Sequence, residues 1–206
     1  PANTPEEFWD KRYAEDDYVF GQEPNLWMVE NASFLQPSMT ALVPGDGEGR
    51  NGVWLARQGL RVTTLDASPV GFGKAKKLAT AQNIDLDARI GDLRDWQPEA
   101  DTYDLLVSAF LHVNVDNRSD IHRKFAQSLK PNGLLLLEGF APDYLGYGRG
   151  GPKVEKMMFT ADGMRQDFAA MMDIGYLEEA KIELPASERR GGPAVVIGLR
   201  ARRKQT

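Results

Sequence analysis

Residues Ala41–Ala56, ALVPGDGEGRNGVWLA, decide the fold. The stretch opens with an apolar run, Ala41-Leu42-Val43, that reads as a buried parallel strand. It turns through Gly45-Asp46-Gly47-Glu48-Gly49 and enters Asn51-Gly52-Val53-Trp54-Leu55-Ala56, which has helical spacing. Strand, glycine turn and helix in that order make a nucleotide-type cradle. Glycines let the backbone approach a ligand closely, and the helix N-terminus offers free N–H groups. The spacing speaks against a dinucleotide fingerprint, G-x-G-x-x-G/A, because the third small residue would have to stand where Arg50 stands. The Arg50 side chain would crowd the helix–strand contact. What remains is G-x-G-x-G.

The 206-residue length fits a single domain, 1–206, with a full-sized core. No purely apolar run, Leu134–Leu137 among them, is long enough to span a bilayer, and acidic Glu6, Glu7 and Asp10 stand where a signal peptide would be basic. A cytoplasmic protein with no membrane partner is therefore expected. The net charge of −5 argues against a nucleic-acid partner, and the basic Arg200–Lys204 cluster reads as a solvated strand end. The absence of cysteine removes disulfides, thiolate metal sites and a cysteine nucleophile. His112 and His122 lie apart in sequence, so no metal site is expected.

Toward the N-terminus, Thr4-Pro5-Glu6-Glu7 starts a helix running to about Tyr13, and a second helix is expected from Asn25 to about Leu35. Phe8, Trp9, Tyr13, Tyr18, Phe20 and Trp27 make an aromatic cluster before the first strand. They either close the core or form a lid, residues 1–36, over the ends of the strands, where Tyr13 and Tyr18 would present a polar end. The next strand, Leu60–Leu65, ends at Asp66, whose carboxylate is placed to accept hydrogen bonds from ribose hydroxyls. Ser68-Pro69 starts a helix to about Gln82, with Asn83 closing it and Lys74, Lys76 and Lys77 on a solvated face. A third strand follows at Asp87, exiting through Asp92-Leu93, and a fourth at Tyr103–Phe110. Ser119 is read as the cap of a helix whose Ile121, Phe125 and Leu129 share one face, with His122 at the surface. Lys130–Gly133 is a turn and Leu134–Glu138 a buried strand. Gly146–Lys153 is a polar loop long enough to meet a substrate. Thr160 begins a helix with Met164, Phe168, Met171 and Met172 on one face, and the last two strands are Leu177–Leu184 and Ala194–Ala201.

The glycine turn resembles motif I of the class I S-adenosylmethionine-dependent methyltransferases, with Val43 where that family usually has an acidic residue. The phrase LKPNGLLLLE is also typical of that class. FWDKRYAEDDYVFGQEPN, LVPGDGEGRN, GRGGPK and FTADGMRQDF are similar to the small bacterial tellurite-resistance branch, with thiopurine methyltransferases as neighbours. The resemblance implies one Rossmann-like, doubly wound α/β domain. Its seven-stranded, mostly parallel sheet would have an antiparallel last strand and helices on both faces.

The cofactor implied is S-adenosyl-L-methionine. It would be held by Gly45, Asp46, Gly47, Gly49, Arg50, Asn51, Asp66, Ala67, Asp92, Leu93, Ser108, Phe110, Tyr13 and Trp27. Asp92 would receive the adenine amino group and Leu93 would pack on the ring. A small-molecule acceptor, a soft nucleophile such as a thiol or a selenium or tellurium species, would enter near Tyr18, Phe110, His112 and Arg149. Tyr18, His112 and Arg149 are the catalytic candidates, with His112 able to take a proton from a weak nucleophile. Relatives commonly carry a histidine near the C-terminal hairpin, where this chain has Ser187-Glu188-Arg189-Arg190. A monomer is expected. A cofactor-binding protein without catalysis, or a methyltransferase acting on a protein or nucleic acid, are the alternatives.

Overall fold

The computed structural model describes residues 4–145, 150–187 and 191–205. Among these, the strands are β1 (Thr40–Pro44), β2 (Arg61–Asp66), β3 (Asp87–Ile90), β4 (Tyr103–Ala109), β5 (Leu129–Phe140), β6 (Met172–Leu184) and β7 (Gly192–Arg203). They form one sheet in the order β3-β2-β1-β4-β5-β7-β6. The pairs β1–β2, β2–β3 and β4–β5 are parallel, and β7 runs antiparallel to both β5 and β6. The helices are α1 (Pro5–Tyr13), α2 (Leu26–Glu30), α3 (Arg50–Arg57), α4 (Pro69–Ala81), α5 (Val115–Ser128) and α6 (Ala161–Phe168). Along the strand order β1-β2-β3 steps one way and β4-β5 the other. Right-handed crossovers then put α3 and α4 on one face and α5 on the other. This is the expected doubly wound sheet.

Contacts group the chain into two compact units, Pro1–Trp96 and Gln97–Thr206. In the first, α1 opens on a reciprocal capping box. The Thr4 hydroxyl accepts from the Glu7 N–H at 3.2 Å, and the Glu7 carboxylate accepts from the Thr4 N–H at 3.1 Å. The expected second helix is shorter, ending at Glu30 and followed by a 3₁₀ turn over Ala32–Phe34. Asn31 accounts for the break, since its side-chain amide donates to the Trp27 carbonyl at 2.8 Å and competes with the helical ladder. Ser68 caps α4 by accepting from the Gly71 N–H, and Asn83 ends it at a φ of 56°.

In the second unit, Leu134–Leu137 is buried as expected, in register with Leu105–Ser108 of β4. The strand begins earlier than the Lys130–Gly133 turn suggested, with Asn132 bending it at a φ of 65°. Helix α5 also begins earlier, capped by Asn114, whose side chain accepts from the Asp116 N–H at 3.1 Å. Ser119 is inside that helix, and its hydroxyl donates to Asp167 at 2.6 Å. Ile121, Phe125 and Leu129 are buried. Helix α6 stops at Phe168, so Met171 lies beyond it and Met172 starts β6. The early start of β6 follows from its partner, because Met172–Tyr176 pairs with the basic Arg200–Arg203 end of β7. Among the described residues no helix is long and apolar enough to cross a membrane.

Candidate active site

The cradle is assembled at the carboxyl ends of β1, β2 and β3. The Gly45 N–H donates to the Leu65 carbonyl at 2.7 Å, carrying the β1–β2 ladder one residue into the turn. Gly47 and Gly49 then take φ values of 58° and 91°, in the left-handed region that L side chains rarely adopt. Asp46 folds back over the start of α3. Its carboxylate accepts from the Asn51 N–H at 3.3 Å and the Gly52 N–H at 3.0 Å. These first-turn donors were expected to be free for a ligand; they are taken by the chain's own side chain. Burial pushes the Asp46 carboxyl up to about 7, against the opposing pull of the Gly52 N–H, Arg50 and the Asn51 N–H.

Gly52 does the work that the dinucleotide pattern gives to its third glycine. A Cβ there would lie 2.5 Å from Thr64 Cγ2 on β2 and 2.6 Å from Asp46 Oδ2. The close helix–strand approach is thus two residues later than the Arg50 position. Arg50 points away from it, and its guanidinium donates to the Glu23 carbonyl at 2.9 Å. Asn51 likewise accepts from the Asn25 N–H at 2.9 Å. Both residues were expected to serve the cofactor; their side chains hold the N-terminal segment.

Asp66 pins the centre of the turn. Its Oδ2 accepts from the Gly47 N–H at 2.8 Å and its Oδ1 from the Ser68 N–H at 2.9 Å, across Ala67. Burial raises its pKa, opposed by these two N–H groups. The carboxylate still has acceptor capacity to offer. The Asp66 carbonyl accepts from the Gly91 N–H at 2.8 Å, which brings the Asp92 segment alongside. Asp92 is clasped by Arg94 (Nη2 to Oδ2, 2.5 Å), and that pair holds its carboxyl below the usual range; Leu93 is buried beside it.

Tyr13 lies over the glycine turn. A Cβ on Gly47 would come within 2.4 Å of its hydroxyl oxygen, and one on Gly71 within 3.0 Å of its ring. The ring stacks on Trp9 at 5.4 Å and meets Phe20 edge-on at 6.4 Å. Burial raises its pKa well above the usual value, helped by Asp66, Glu48 and Asp46. The phenol is a neutral donor beside three carboxyls. Helix α1 is fixed separately by Asp10, which accepts from Ser68 Oγ at 2.5 Å and the Val70 N–H at 3.2 Å. Tyr18 is part of the same covering segment, its hydroxyl donating to the Lys74 carbonyl at 3.3 Å. Trp27 is half-buried on α2.

In the second unit, Ser108 is buried in β4, and Phe110 follows with a φ of 55°, a strained value for an aromatic residue. Its ring centroid is 4.7 Å from that of Phe140, which stacks on Tyr144 at 4.1 Å. His112 lies between Phe140 and Phe159. Its Nδ1 is 2.8 Å from the Met157 carbonyl, and its Nε2 accepts from the Phe140 N–H at 3.0 Å. Burial pushes its pKa down to about 4. The ring is neutral with both nitrogens engaged by backbone, so it has no lone pair left for a substrate proton. Arg149, Arg189 and Arg190 lie outside the described residues.

His122 is not at the surface. It is 2% exposed, with Nδ1 2.7 Å from Asp167, which also accepts from Ser119 and from Arg118 at 3.2 Å. The pattern, one acid serving three donors, ties α5 to α6. Lys74 is also no solvated residue, because its ammonium sits 2.8 Å from Glu48 inside the glycine turn. Neither role has a local sequence signal, since each depends on a partner 26 or more residues away.

Residues 41–133 match the family model of the methyltransferase domain. Trans-aconitate 2-methyltransferase from Mycobacterium tuberculosis is 33% identical over 96 residues, 46% of this chain and 34% of that protein. The chain thus spans about a third of the length of the curated relatives it matches. A structure described under the conversion of a disulfide bond into a thioacetal group during echinomycin biosynthesis superposes with a TM-score of 0.78 at 18% identity, covering 97% of this chain and 91% of that one. A SAM-dependent methyltransferase from Methanosarcina mazei gives 0.71 at 18% identity over 87% and 98% of the two chains. TehB from Haemophilus influenzae gives 0.71 at 18% identity over 97% and 67%. Residues 41–133 match the methyltransferase-domain family, and the chain folds as the class I S-adenosylmethionine-dependent methyltransferases do.

Proposed function

We propose that this chain is an S-adenosylmethionine-dependent methyltransferase acting on a small soft nucleophile. The observation that carries the cofactor assignment is the joint placement of the Gly45–Gly49 turn, Asp66 and Asp92 at the ends of neighbouring parallel strands, with Tyr13 above the turn. The donor set fits. Asp66 and Asp92 are acceptors for ribose hydroxyls and an adenine amino group, the bare Gly47 makes room for the Tyr13 phenol over the turn, and that phenol is a donor for a carboxylate. When bound, S-adenosylmethionine supplies a methyl group on a cationic sulfur, with a neutral thioether as leaving group. The chain's residues hold the reactants in line and keep water out. Orientation of this kind is worth up to roughly 7–11 kcal/mol.

The acceptor reading rests on His112. With both nitrogens bound to backbone it positions the Phe110–Phe140 wall and is no base. A thiolate or selenolate needs no base, and the similarity to a protein of disulfide-to-thioacetal chemistry favours sulfur. A second reading draws on the trans-aconitate methyltransferases: a small polycarboxylate, already ionised at neutral pH, also needs no base. Arg149 and Tyr18 remain proposed substrate contacts.

A thermal-shift titration with S-adenosylhomocysteine, with NADH as control, tests the cofactor. A saturable rise with the former alone is expected, and a rise with NADH alone refutes the assignment. A methyl-acceptor screen over thiols, selenite, tellurite and polycarboxylates then separates the two acceptor classes. Tight binding with no turnover on the panel would favour a cofactor-binding protein without catalysis.

A further inference from the structure

Glu48 stands in the middle of the glycine turn, where a small neutral residue would be the least costly choice. Its side chain is 3% exposed, and its Oε1 meets the Lys74 ammonium at 2.8 Å. Its Oε2 is buried without a hydrogen bond, and burial raises the pKa of the carboxyl against the opposing pull of Lys74 and the N–H groups of Phe20 and Val19. An ion pair buried this far is seldom a net source of stability, so its presence asks for another reason. The surroundings supply one. The same ammonium donates to the Asp17 carbonyl at 2.7 Å and lies 5.5 Å from the Tyr18 ring centroid, while the Tyr18 hydroxyl returns to the Lys74 carbonyl. Phe20, next along the segment, packs edge-on against Tyr13 and Trp9. One side chain of the cradle and one of α4 thus grip Asp17–Phe20 from within, whereas α1 has its own anchor at Asp10.

We propose that Glu48 and Lys74 are positioning residues: their ion pair holds the Asp17–Phe20 segment closed beside Tyr13 and so sets how fast the cofactor leaves. The proposal rests on the reading of the glycine turn as the cofactor site. Neither residue touches the ligand in this account; the segment has to open for the ligand to leave, so the pair acts on the rate of release.

The test uses the full chain with S-adenosylhomocysteine as probe. Glu48→Gln alone leaves Lys74 without its counter-ion, so the paired variant Glu48→Gln/Lys74→Met, with no lone buried charge, is the decisive one. It should melt close to the unaltered protein and release the probe on the order of tenfold faster. In the free protein, the Gly21 amide, which donates to the Tyr18 carbonyl at 3.0 Å, should exchange its hydrogen faster by a similar factor. Lys74→Arg, which keeps the charge, should recover most of both. An unchanged release rate in the paired variant, or unchanged Gly21 exchange, overturns the proposal. If the unaltered protein does not bind the probe, the site reading itself fails and takes the proposal with it. Binding with unaltered release in the variant fails the proposal alone.

Discussion

Replacing Gly47 with alanine is the sharpest probe of how the turn and its covering tyrosine fit together. Two separable costs follow from the geometry. The left-handed φ of 58° costs an L-residue about 1–2 kcal/mol, whatever surrounds it. The added methyl would sit 2.4 Å from the Tyr13 hydroxyl oxygen and 3.0 Å from Cζ, so the ring must shift, which overpacking data put at about 1–3 kcal/mol. Gly47→Ala should therefore destabilise the protein by about 2–5 kcal/mol. Tyr13→Phe removes the 2.4 Å overlap and leaves the backbone cost. In that background Gly47→Ala should cost about 1–2 kcal/mol less than in the unaltered protein, a coupling measurable by a double-mutant cycle in urea denaturation. A second readout separates packing from binding: Gly47→Ala should abolish the shift given by S-adenosylhomocysteine even where the protein remains folded. Equal cost in both backgrounds would refute the placement of Tyr13 over the turn.

Acidification probes two buried groups of opposite sign. His112, with a folded pKa near 4 against about 6.5 unfolded, binds fewer protons when folded; its share of stability is full above pH 6.5 and is lost as the pH falls toward 4. Asp46, near 7 when folded against about 4 unfolded, binds more protons when folded, so its share rises as pH falls through the same window. Asp46→Asn should therefore lose stability on acidification more steeply than the unaltered protein, by about 1.4 kcal/mol per pH unit at most, checked by denaturation at several pH values. Arg94→Ala should free the Asp92 carboxylate and leave S-adenosylhomocysteine affinity equal or a few-fold tighter, whereas Asp92→Ala should weaken it; calorimetry would show a loss in both if Arg94 is itself a ligand contact. Asp167→Ala strands His122 and Arg118 and should cost about 3–5 kcal/mol in unfolding free energy, with an unchanged melting curve refuting a joint role for that acid.

The fold was legible because its signals are local and repeated. Apolar runs at Ala41–Val43 and Leu134–Leu137, caps at Thr4 and Ser68, and a glycine turn between strand and helix each specify an element without reference to distant partners. Boundaries failed where a side chain competed with the backbone, as Asn31 does after α2, or where another polar residue capped earlier, as Asn114 does before Ser119. The site was half legible. Asp66, Asp92 and Tyr13 could be placed from strand ends and from the polar end of a tyrosine. What the side chains of Asp46, Glu48, Arg50 and Asn51 do could not, because each choice of partner is made in three dimensions.

Those four residues carry a lesson about glycine-rich turns. A turn of this kind is read from its glycines as an opening for a ligand, and the residues between them are treated as spacers. Here the spacers do the structural labour: Asp46 caps α3, Glu48 grips Lys74, and Arg50 and Asn51 each hold a backbone group of the covering segment, at Glu23 and Asn25. The helix N-terminus is consequently not the electropositive anchor that it is in phosphate-binding turns, since a carboxylate already occupies it. A ligand suited to this cradle is one that needs no such anchor. In the proposed reading it would bring hydroxyl and amino donors to Asp66 and Asp92, and the three carboxyls around the turn would favour a cation over a polyphosphate. The electrostatics of the turn, read through its spacers, thus point away from a pyrophosphate-bearing cofactor on grounds independent of the glycine spacing.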